Sequence, residues 1–490
     1  MRQVISLNST IVISLFLIYI IYFFIGDFDF SSEILFTFLV SDLLLLVLFF
    51  KYNKRRNLPA NGQFLKVSTL FLFGFAIVHY QMYIDVLLDN YQNFGHDFIY
   101  DFNYILKSVC VSSIALSSFI VGYRVKLSRF KNLSKSINDK ASLTFHNVKF
   151  SSALSAIVLV LYILVFLLLV TVDSRYFNGG YGRDGVEVGG LGGYINDYII
   201  IVFITYLVVW LLFKRKSGVK YHSFFSFLKG VGFGYICILC IFCLLTLMSG
   251  DRGPVLQVSL AFIGTFILMY KHKIRFIIFI GLVSLGIFTF SFVAYIRENK
   301  DVNSYAEKIA LAKKNQLESS KNYSFSPSTY ELATSIRTLQ ACLIYTDNNE
   351  LSYGIFQGLQ ILNVIPGLGS LVGGVVGLDV SRMNSAEFLT FQILGPYPTH
   401  GLGTSAVADI YVDFGVLGTI VLFFFFGITV CLIEQRVFVN TSNNIFYYAF
   451  FLVLLSFSIY IARSSILSVF RDCFLVFLFS NLFVFLFKRN

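Results

Sequence analysis

The sequence predicts an all-α, polytopic integral membrane protein, and three observations carry this prediction. Hydrophobic residues make up 57% of the chain and charged residues 13%, whereas soluble domains carry about 25% charged residues. The mean hydropathy is +0.75. Many apolar runs reach about 20 residues, the length that a helix needs to cross the hydrocarbon core. Because these runs do not alternate with polar residues, they predict helices and not a β-barrel.

Twelve segments have the length and composition of membrane spans. They are expected, within a few residues at each end, at 4–25, 34–50, 65–88, 104–122, 151–172, 194–213, 230–248, 255–270, 276–294, 409–432, 445–461 and 466–487. The chain is therefore predicted to have three regions, which are a membrane domain with nine spans at 1–296, a large outer loop at 297–408, and the last three spans at 409–490.

Basic residues concentrate on one side of this arrangement. Lys and Arg crowd loops such as 124–149 and 214–229, whereas the short loops 26–33 and 89–101 contain acidic residues but no Lys or Arg. The positive-inside rule then predicts that both termini lie in the cytoplasm. The net charge of +11 is explained by this bias, and no nucleic-acid partner is expected.

The interval 297–408 is too long for a simple turn and is predicted to lie on the outer face. Within it, Ser304–Ser320 and Ser328–Thr346 have apolar residues at helical spacing, which predicts amphipathic helices near the membrane surface. The apolar stretch 354–377 is interrupted by Pro366 and several glycines. This composition favours a re-entrant or surface-buried hairpin over a full span.

Arginines on the outer face are informative because the positive-inside rule disfavours them there. The predicted outward arginines are Arg175, Arg183, Arg252, Arg297, Arg337, Arg382 and Arg463, and Arg471 lies inside the last span. An arginine fork grips phosphate through two parallel hydrogen bonds, so several converging arginines suit a lipid diphosphate. For each arginine alone, the alternative is contact with ordinary phospholipid head groups.

Arg252 stands in the short turn Ser249–Pro254, between two predicted spans. Gly250 and Gly253 permit unusual backbone angles, and Pro254 can open the next helix. The alternative to a functional arginine is an ordinary turn with an internal contact between Asp251 and Arg252. That alternative leaves the presence of an outward arginine unexplained.

No metal site is expected. Cys237, Cys240 and Cys243 lie three residues apart within one apolar helix. A zinc site needs further ligands and a polar surrounding, and neither is nearby in the sequence. Packing is the ordinary role of such cysteines.

The stretch Leu394–Gly418 (LGPYPTHGLGTSAVADIYVDFGVLG) resembles the signature of the O-antigen polymerase family, the Wzy-type polymerases of lipid-linked oligosaccharide repeat units. In that family, a Gly-Thr/Ser segment leads into an acidic residue, an aromatic residue and a Gly-x-x-Gly that opens a span. The matching residues here are Gly403, Thr404, Ser405, Asp409, Tyr411, Gly415 and Gly418. The Ser249–Pro254 turn, Ile365-Pro366 and the turn Arg463-Ser464-Ser465 also resemble family features.

The resemblance implies a GT-C-like membrane glycosyltransferase that needs no cofactor. It would move a growing glycan from undecaprenyl diphosphate onto an incoming carrier-linked repeat unit. The charge that develops on a diphosphate leaving group needs fixed cations, and the arginines expected to supply them are Arg252, Arg297, Arg337, Arg463 and Arg471. Further candidates near the substrate are Arg175, Arg183, Arg382, Tyr411 and Asp413.

Such a transfer calls for a base near the acceptor hydroxyl, and Asp409, Asp413 and His400 are the nearby candidates, with Asp409 or His400 favoured. A lone histidine before a turn is more often structural, which is the alternative for His400. Members of the family often carry Glu at the position of Asp409, which here is one methylene shorter. Both a substrate contact and a capping role at the start of the tenth span therefore stay open for Asp409.

The expected location is the bacterial inner membrane. Carrier-linked oligosaccharides, membrane lipids and a polysaccharide chain-length regulator are the expected partners. A ligase that transfers finished glycan to lipid A core or to protein is one alternative, because it would share the fold and the donor. A flippase for lipid-linked sugar is another, although the two halves of the chain are unlike and the polar groups gather at the outer face.

Overall fold

The computed structural model gives the chain as a bundle of helices. The described residues are 2–54, 65–90, 101–133, 149–173, 176–177, 190–270, 281, 324, 326, 329–365, 367–377, 384–396, 398, 401–438 and 444–488. Within them there is no β-strand, and one isolated bridge pairs Tyr221 with Tyr270. The prediction of an all-α protein is therefore confirmed.

The described helices fall into two groups along the chain. Before residue 271 they are α1 (Arg2–Ile25), α2 (Ser32–Lys54), α3 (Val67–Leu87), α4 (Ile105–Leu133), α5 (Phe150–Thr171), α6 (Gly190–Lys216), α7 (Phe224–Val231), α8 (Phe233–Ser249) and α9 (Gly253–Met269). After residue 328 they are α10 (Tyr330–Ala333), α11 (Ile336–Asn348), α12 (Ile355–Leu362), α13 (Leu368–Val375), α14 (Ser385–Leu394), α15 (Ala406–Phe438), α16 (Ile445–Phe457) and α17 (Ile466–Leu486). A 3₁₀ turn at Tyr460–Arg463 lies between α16 and α17.

Seven of the described helices are long and apolar enough to cross a membrane, namely α2 to α6, α15 and α17. The pair α7 and α8 makes an eighth candidate if it counts as one span, although its two parts meet at 100°. The bend lies at Gly232, whose φ of 112° is open to glycine but strained for other residues. The predicted span at 230–248 is thus broken near its start.

Three further apolar helices are shorter than these, namely residues 9–25 of α1, α9 and α16. With 13 residues, α16 is about 20 Å long, less than the ~30 Å hydrocarbon core. It ends at Phe457 because the chain turns into the segment Tyr460–Arg463. Apart from residue 281, the predicted span at 276–294 lies outside the described residues, so a total of twelve spans stays a prediction.

The described part of the interval 297–408 is mostly helical. The predicted helix at Ser328–Thr346 is present as α10 and α11, and its apolar residues Ile336 and Leu339 are buried. The stretch 354–377 forms the two short helices α12 and α13 and not a span. The predicted helix at Ser304–Ser320 lies outside the described residues.

The centre of the bundle is the crossing of α4 and α15. A Cβ atom at Gly122 of α4 would lie 2.0 Å from the carbonyl oxygen of Phe424, and one at Gly427 of α15 would lie 2.1 Å from that of Phe119. The two backbones therefore touch directly, as they do where small residues line a crossing of membrane helices. This contact fixes α15, which begins next to the candidate site.

The two ends of the bundle carry different charged groups. Arg215 at the end of α6 donates to the hydroxyl of Tyr448 (2.8 Å) and to the carbonyl oxygens of Val437 (3.2 Å) and Leu268 (3.3 Å). These contacts gather the ends of α9 and α15 and the start of α16 at one end, which we call the basal end. Arg252 precedes α9 and therefore lies at the opposite end, which we call the site end.

Candidate functional site

The turn between α8 and α9 holds Arg252 in a fixed backbone setting. Gly250 ends α8 with a φ of 89°, and α9 begins at Gly253 with a proline in its first turn. The carboxylate of Asp251 accepts a hydrogen bond from the backbone N–H of Gly253 (3.1 Å). The predicted tight turn is therefore confirmed. The side chain of Arg252 forms an ion pair with a distant residue, Glu331 of α10.

Arg252 and Arg463 converge on the same carboxylate. Arg252 Nη2 contacts Glu331 Oε2, and Arg463 Nη1 lies 3.9 Å from Glu331 Oε1. The exposed fraction of the side chain is 14% for Arg252, 24% for Arg463 and 50% for Glu331. Two largely covered guanidinium groups thus flank one carboxylate that water reaches, and we call these three residues the Arg–Glu–Arg cluster.

A tyrosine lies within the electrostatic field of this cluster. Burial raises the pKa of Tyr460, while the positive charges of Arg252 and Arg463 act in the opposite direction. Because the net pKa shift is upward, the phenol is neutral at physiological pH. Tyr460 therefore adds a hydroxyl group but no charge to this end of the bundle.

Gln81 of α3 holds residues that precede Glu331 in the chain. Gln81 Nε2 donates to Ser324 Oγ (3.1 Å) and to the carbonyl oxygen of Ser326 (2.9 Å), and Gln81 Oε1 accepts from Thr329 Oγ1 (2.6 Å). These bonds fix the residues that lead directly into α10. Sequence analysis missed both Gln81 and Glu331. A polar residue inside an apolar span was the available signal for Gln81.

Arg337 and Arg471 occupy other settings. Arg337 lies on α11, and its Nε donates to the carbonyl oxygen of Thr334 at 3.4 Å. Arg471 Nη2 pairs with Asp472 (2.9 Å) and lies 3.9 Å from a carboxylate oxygen of Asp197 on α6. Arg471 is thus paired with its sequence neighbour Asp472 and does not join Arg252 and Arg463.

Asp409 lies near the start of α15 and is fully buried. Its carboxylate accepts hydrogen bonds from Gln357 Nε2 (2.8 Å), from Gln360 Nε2 (3.0 Å) and from the hydroxyl of Ser385. It therefore joins α12 and α14 to α15. The capping role belongs to Ser405, whose Oγ accepts from the backbone N–H of Ala408 (3.1 Å).

Asp413, one turn further along α15, is also fully buried. Its carboxylate accepts from the backbone N–H groups of Gln357 (2.8 Å) and Phe356 (3.4 Å) at the start of α12. A carboxylate is stabilised at a helix N-terminus because unpaired N–H groups point outward there. Asp409 and Asp413 thus hold the same short helix, α12.

The buried network around Asp409 reaches the turn that carries Arg463. Gln360 donates to Asp409, and its Oε1 accepts from the hydroxyl of Ser465, two residues after Arg463. Tyr411 is buried within α15. Sequence analysis missed Gln357, Gln360 and Ser385, since nothing local to these residues indicates that they contact α15.

Several predicted site residues lie outside the described residues, namely Arg175, Arg183, Arg297, Arg382 and His400. Across the described part of the chain, no group of three or more His, Cys, Asp or Glu side chains is arranged to hold a metal ion. The described site thus consists of the Arg–Glu–Arg cluster and of the buried network behind it.

The chain matches the family model described as O-antigen polysaccharide polymerase Wzy over residues 6–490. No curated protein and no solved structure matches it. The family match covers nearly the whole chain. It therefore includes α1 to α5, about which the motif near Asp409 gives no information. The chain therefore belongs to the O-antigen polysaccharide polymerase Wzy family, the membrane-embedded glycosyltransferase-type polymerases of polysaccharide repeat units.

Proposed function

We propose that this polymerase joins undecaprenyl-diphosphate-linked repeat units at the site end of its bundle. The observation that carries the proposal is the convergence of Arg252 and Arg463, from two separate turns, on Glu331. Cations that are held in place before substrate arrives stabilise a leaving anion without further reorganisation. Both guanidinium groups are largely covered, which strengthens their attraction for a diphosphate.

The reaction is a glycosyl transfer between two carrier-linked sugars. A hydroxyl oxygen of the incoming repeat unit bonds to the anomeric carbon of the growing glycan. The bond from that carbon to the carrier oxygen breaks, and its electron pair leaves with the lipid diphosphate. Arg252 and Arg463 neutralise this developing charge through bidentate hydrogen bonds, so the step requires no metal ion or cofactor.

Glu331 is our candidate for the base that takes the proton of the acceptor hydroxyl. A diphosphate that binds Arg252 and Arg463 competes with Glu331 for the same N–H groups, which releases the carboxylate toward the acceptor. Asp409 suits this task less well, because it is fully buried and accepts hydrogen bonds from three side chains. We assign Asp409 the role of a positioning residue.

We propose that the site end faces away from the cytoplasm. Lys66 and Arg215 lie at the basal end, next to the loops in which Lys and Arg concentrate. The positive-inside rule puts that end in the cytoplasm together with both termini. The site end then lies at the outer face of the inner membrane, with the lipid tails of donor and acceptor in the bilayer.

The proposal is tested in a host from which the gene has been deleted. The wild-type chain, Arg252→Ala, Arg463→Ala and the double variant are expressed to equal levels, and surface polysaccharide is separated on a gel. We expect each single variant to shorten or weaken the ladder by about tenfold or more, the scale of one lost hydrogen bond to a charged group. The double variant should leave core with one repeat unit.

Lys107→Ala is the matched control. It removes an ion pair with Asp347 (2.5 Å) that lies away from the Arg–Glu–Arg cluster, and it should leave the ladder unchanged. A normal ladder in the double arginine variant would contradict the assignment. In the deletion strain, carrier-linked polymer without attached glycan would indicate a ligase, and carrier-linked single units on the cytoplasmic side would indicate a flippase.

A further inference from the structure

The hairpin formed by α12 and α13 presents an uncharged apolar surface. Residues 352–377 contain no Asp, Glu, Lys or Arg. Five aliphatic side chains of the hairpin have between 59% and 87% of their surface exposed, namely Ile361, Ile365, Leu371, Val375 and Val376. A protein surface in water rarely carries such a contiguous patch without a partner.

The opposite face of the hairpin is anchored firmly. Gln357 and Gln360 of α12 are buried and bind Asp409, while Asp413 accepts from the first N–H groups of the helix. α13 packs onto α12 so closely that a Cβ atom at Gly369 would lie 2.9 Å from the carbonyl oxygen of Leu359. The exposed apolar face therefore belongs to an element that is tied to α15 through buried hydrogen bonds.

The surface next to the hairpin indicates what covers its apolar face. Leu417, Val421 and Phe425 form an exposed apolar stripe on α15, at intervals of four residues, and α15 is a candidate membrane span. The hairpin starts near Leu417, the member of this stripe that is closest to the site end, since a Cβ atom at Gly354 would lie 3.0 Å from the ring of Phe414. The apolar face of the hairpin thus continues the surface that faces lipid.

We propose that the α12–α13 hairpin inserts into the bilayer leaflet at the site end, with lipid acyl chains covering Leu371, Val375 and Val376. Because Ser465 bonds Gln360 of the hairpin, insertion holds the turn that carries Arg463 at a constant depth relative to the head groups. This inference concerns placement in the membrane and does not depend on the reaction at the site.

Fluorescence quenching in lipid nanodiscs tests the insertion. Leu371→Cys and Val375→Cys are made in a full-length chain in which Cys237, Cys240 and Cys243 are replaced by Ala, and each is labelled with an environment-sensitive maleimide fluorophore. The other four cysteines are buried. Leu417→Cys is the lipid-facing control, and Glu350→Cys, at an exposed position after α11, is the water-facing control.

We expect phosphatidylcholine with brominated acyl chains to quench the fluorophores at 371 and 375 as strongly as that at 417, and several-fold more strongly than that at 350. Aqueous iodide should show the reverse order. Strong iodide quenching at 371 and 375 without bromine quenching would overturn the proposal, because the hairpin would then lie in water. Shielding from both quenchers would also overturn it, in favour of a second copy of the chain as the occupant.

Discussion

Glu331 and Asp409 illustrate how burial divides two carboxylates at the site end between different tasks. Glu331 is half exposed and faces two arginines, so an incoming anion can reach its partners. Asp409 has no exposed surface, and three side-chain donors satisfy it. A carboxylate that is already saturated with hydrogen bonds is poorly placed to accept a proton from substrate.

Asp409→Asn should destabilise the protein. The amide group replaces one acceptor oxygen by a donor, which then faces N–H or O–H groups of Gln357, Gln360 or Ser385 without a partner. The expected cost is about 1–3 kcal/mol of unfolding free energy, visible as a lower midpoint in thermal unfolding of the purified protein. An unchanged midpoint together with complete loss of polymer would instead support Asp409 as the catalytic base.

Helix α15 is the element that joins the site to the bundle. It bends at Gly415, which has φ 61° and ψ −156° within an otherwise helical run. Residues before the bend carry Asp409 and Asp413, whereas residues after it cross the centre of the bundle against α4. The Gly-x-x-Gly of the family motif therefore begins the span at a kink, in a conformation that essentially requires glycine.

Gly415→Ala should move or destabilise the segment before the kink. Besides the backbone strain, an added Cβ atom would lie 3.4 Å from the side chain of Leu351. The free energy of unfolding should fall by about 1–3 kcal/mol, as measured by thermal unfolding. In cells, the polysaccharide ladder should become shorter. Gly358→Ala is the control, because a Cβ atom there meets no atom within 4 Å. Equal stability of both variants would contradict the role of the kink.

At the scale of the whole molecule, the two ends of the bundle carry ion pairs that differ in how far they are exposed to water. At the basal end, Glu434 is fully buried and lies 3.7 Å from Lys66. Glu434 also accepts from the backbone N–H of Ser68 (2.7 Å) and from the hydroxyl of Tyr123 (2.7 Å). This network ties α3 and α4 to the end of α15, whereas Glu331 at the site end is half exposed.

Removal of one member of the buried pair should cost far more than removal of both. Glu434→Gln leaves the Lys66 ammonium group without a counter-charge and should lower the unfolding free energy by about 3–5 kcal/mol. Combining Lys66→Met with Glu434→Leu should recover much of that loss, because neither charge is then buried. Thermal unfolding of the single and double variants measures the coupling, and simple additivity would argue against a mutually stabilising pair.

The sequence by itself determined the fold class and most of the element positions. Hydropathy and helical periodicity are local properties, so eleven of the twelve predicted spans overlap described helices, although only seven or eight of the described candidates are long and apolar enough to cross a membrane. Helices α10 and α11 likewise form where an amphipathic helix was expected. The turn Ser249–Pro254 was also predictable, since glycine and proline restrict backbone angles locally. The order of motifs around Asp409 indicated the family, which the match over residues 6–490 shows.

Only the tertiary structure decided which charged residues meet. Arg252 pairs with a residue 79 positions away, and no local pattern specifies that contact. The same holds for Asp409, whose donors come from α12 and α14. Arginine identity and outer placement suggested a common site for Arg252, Arg463 and Arg471, yet Arg471 pairs with Asp197 and Asp472. Side-chain partners depend on how distant helices pack, and hydropathy carries no information about that packing.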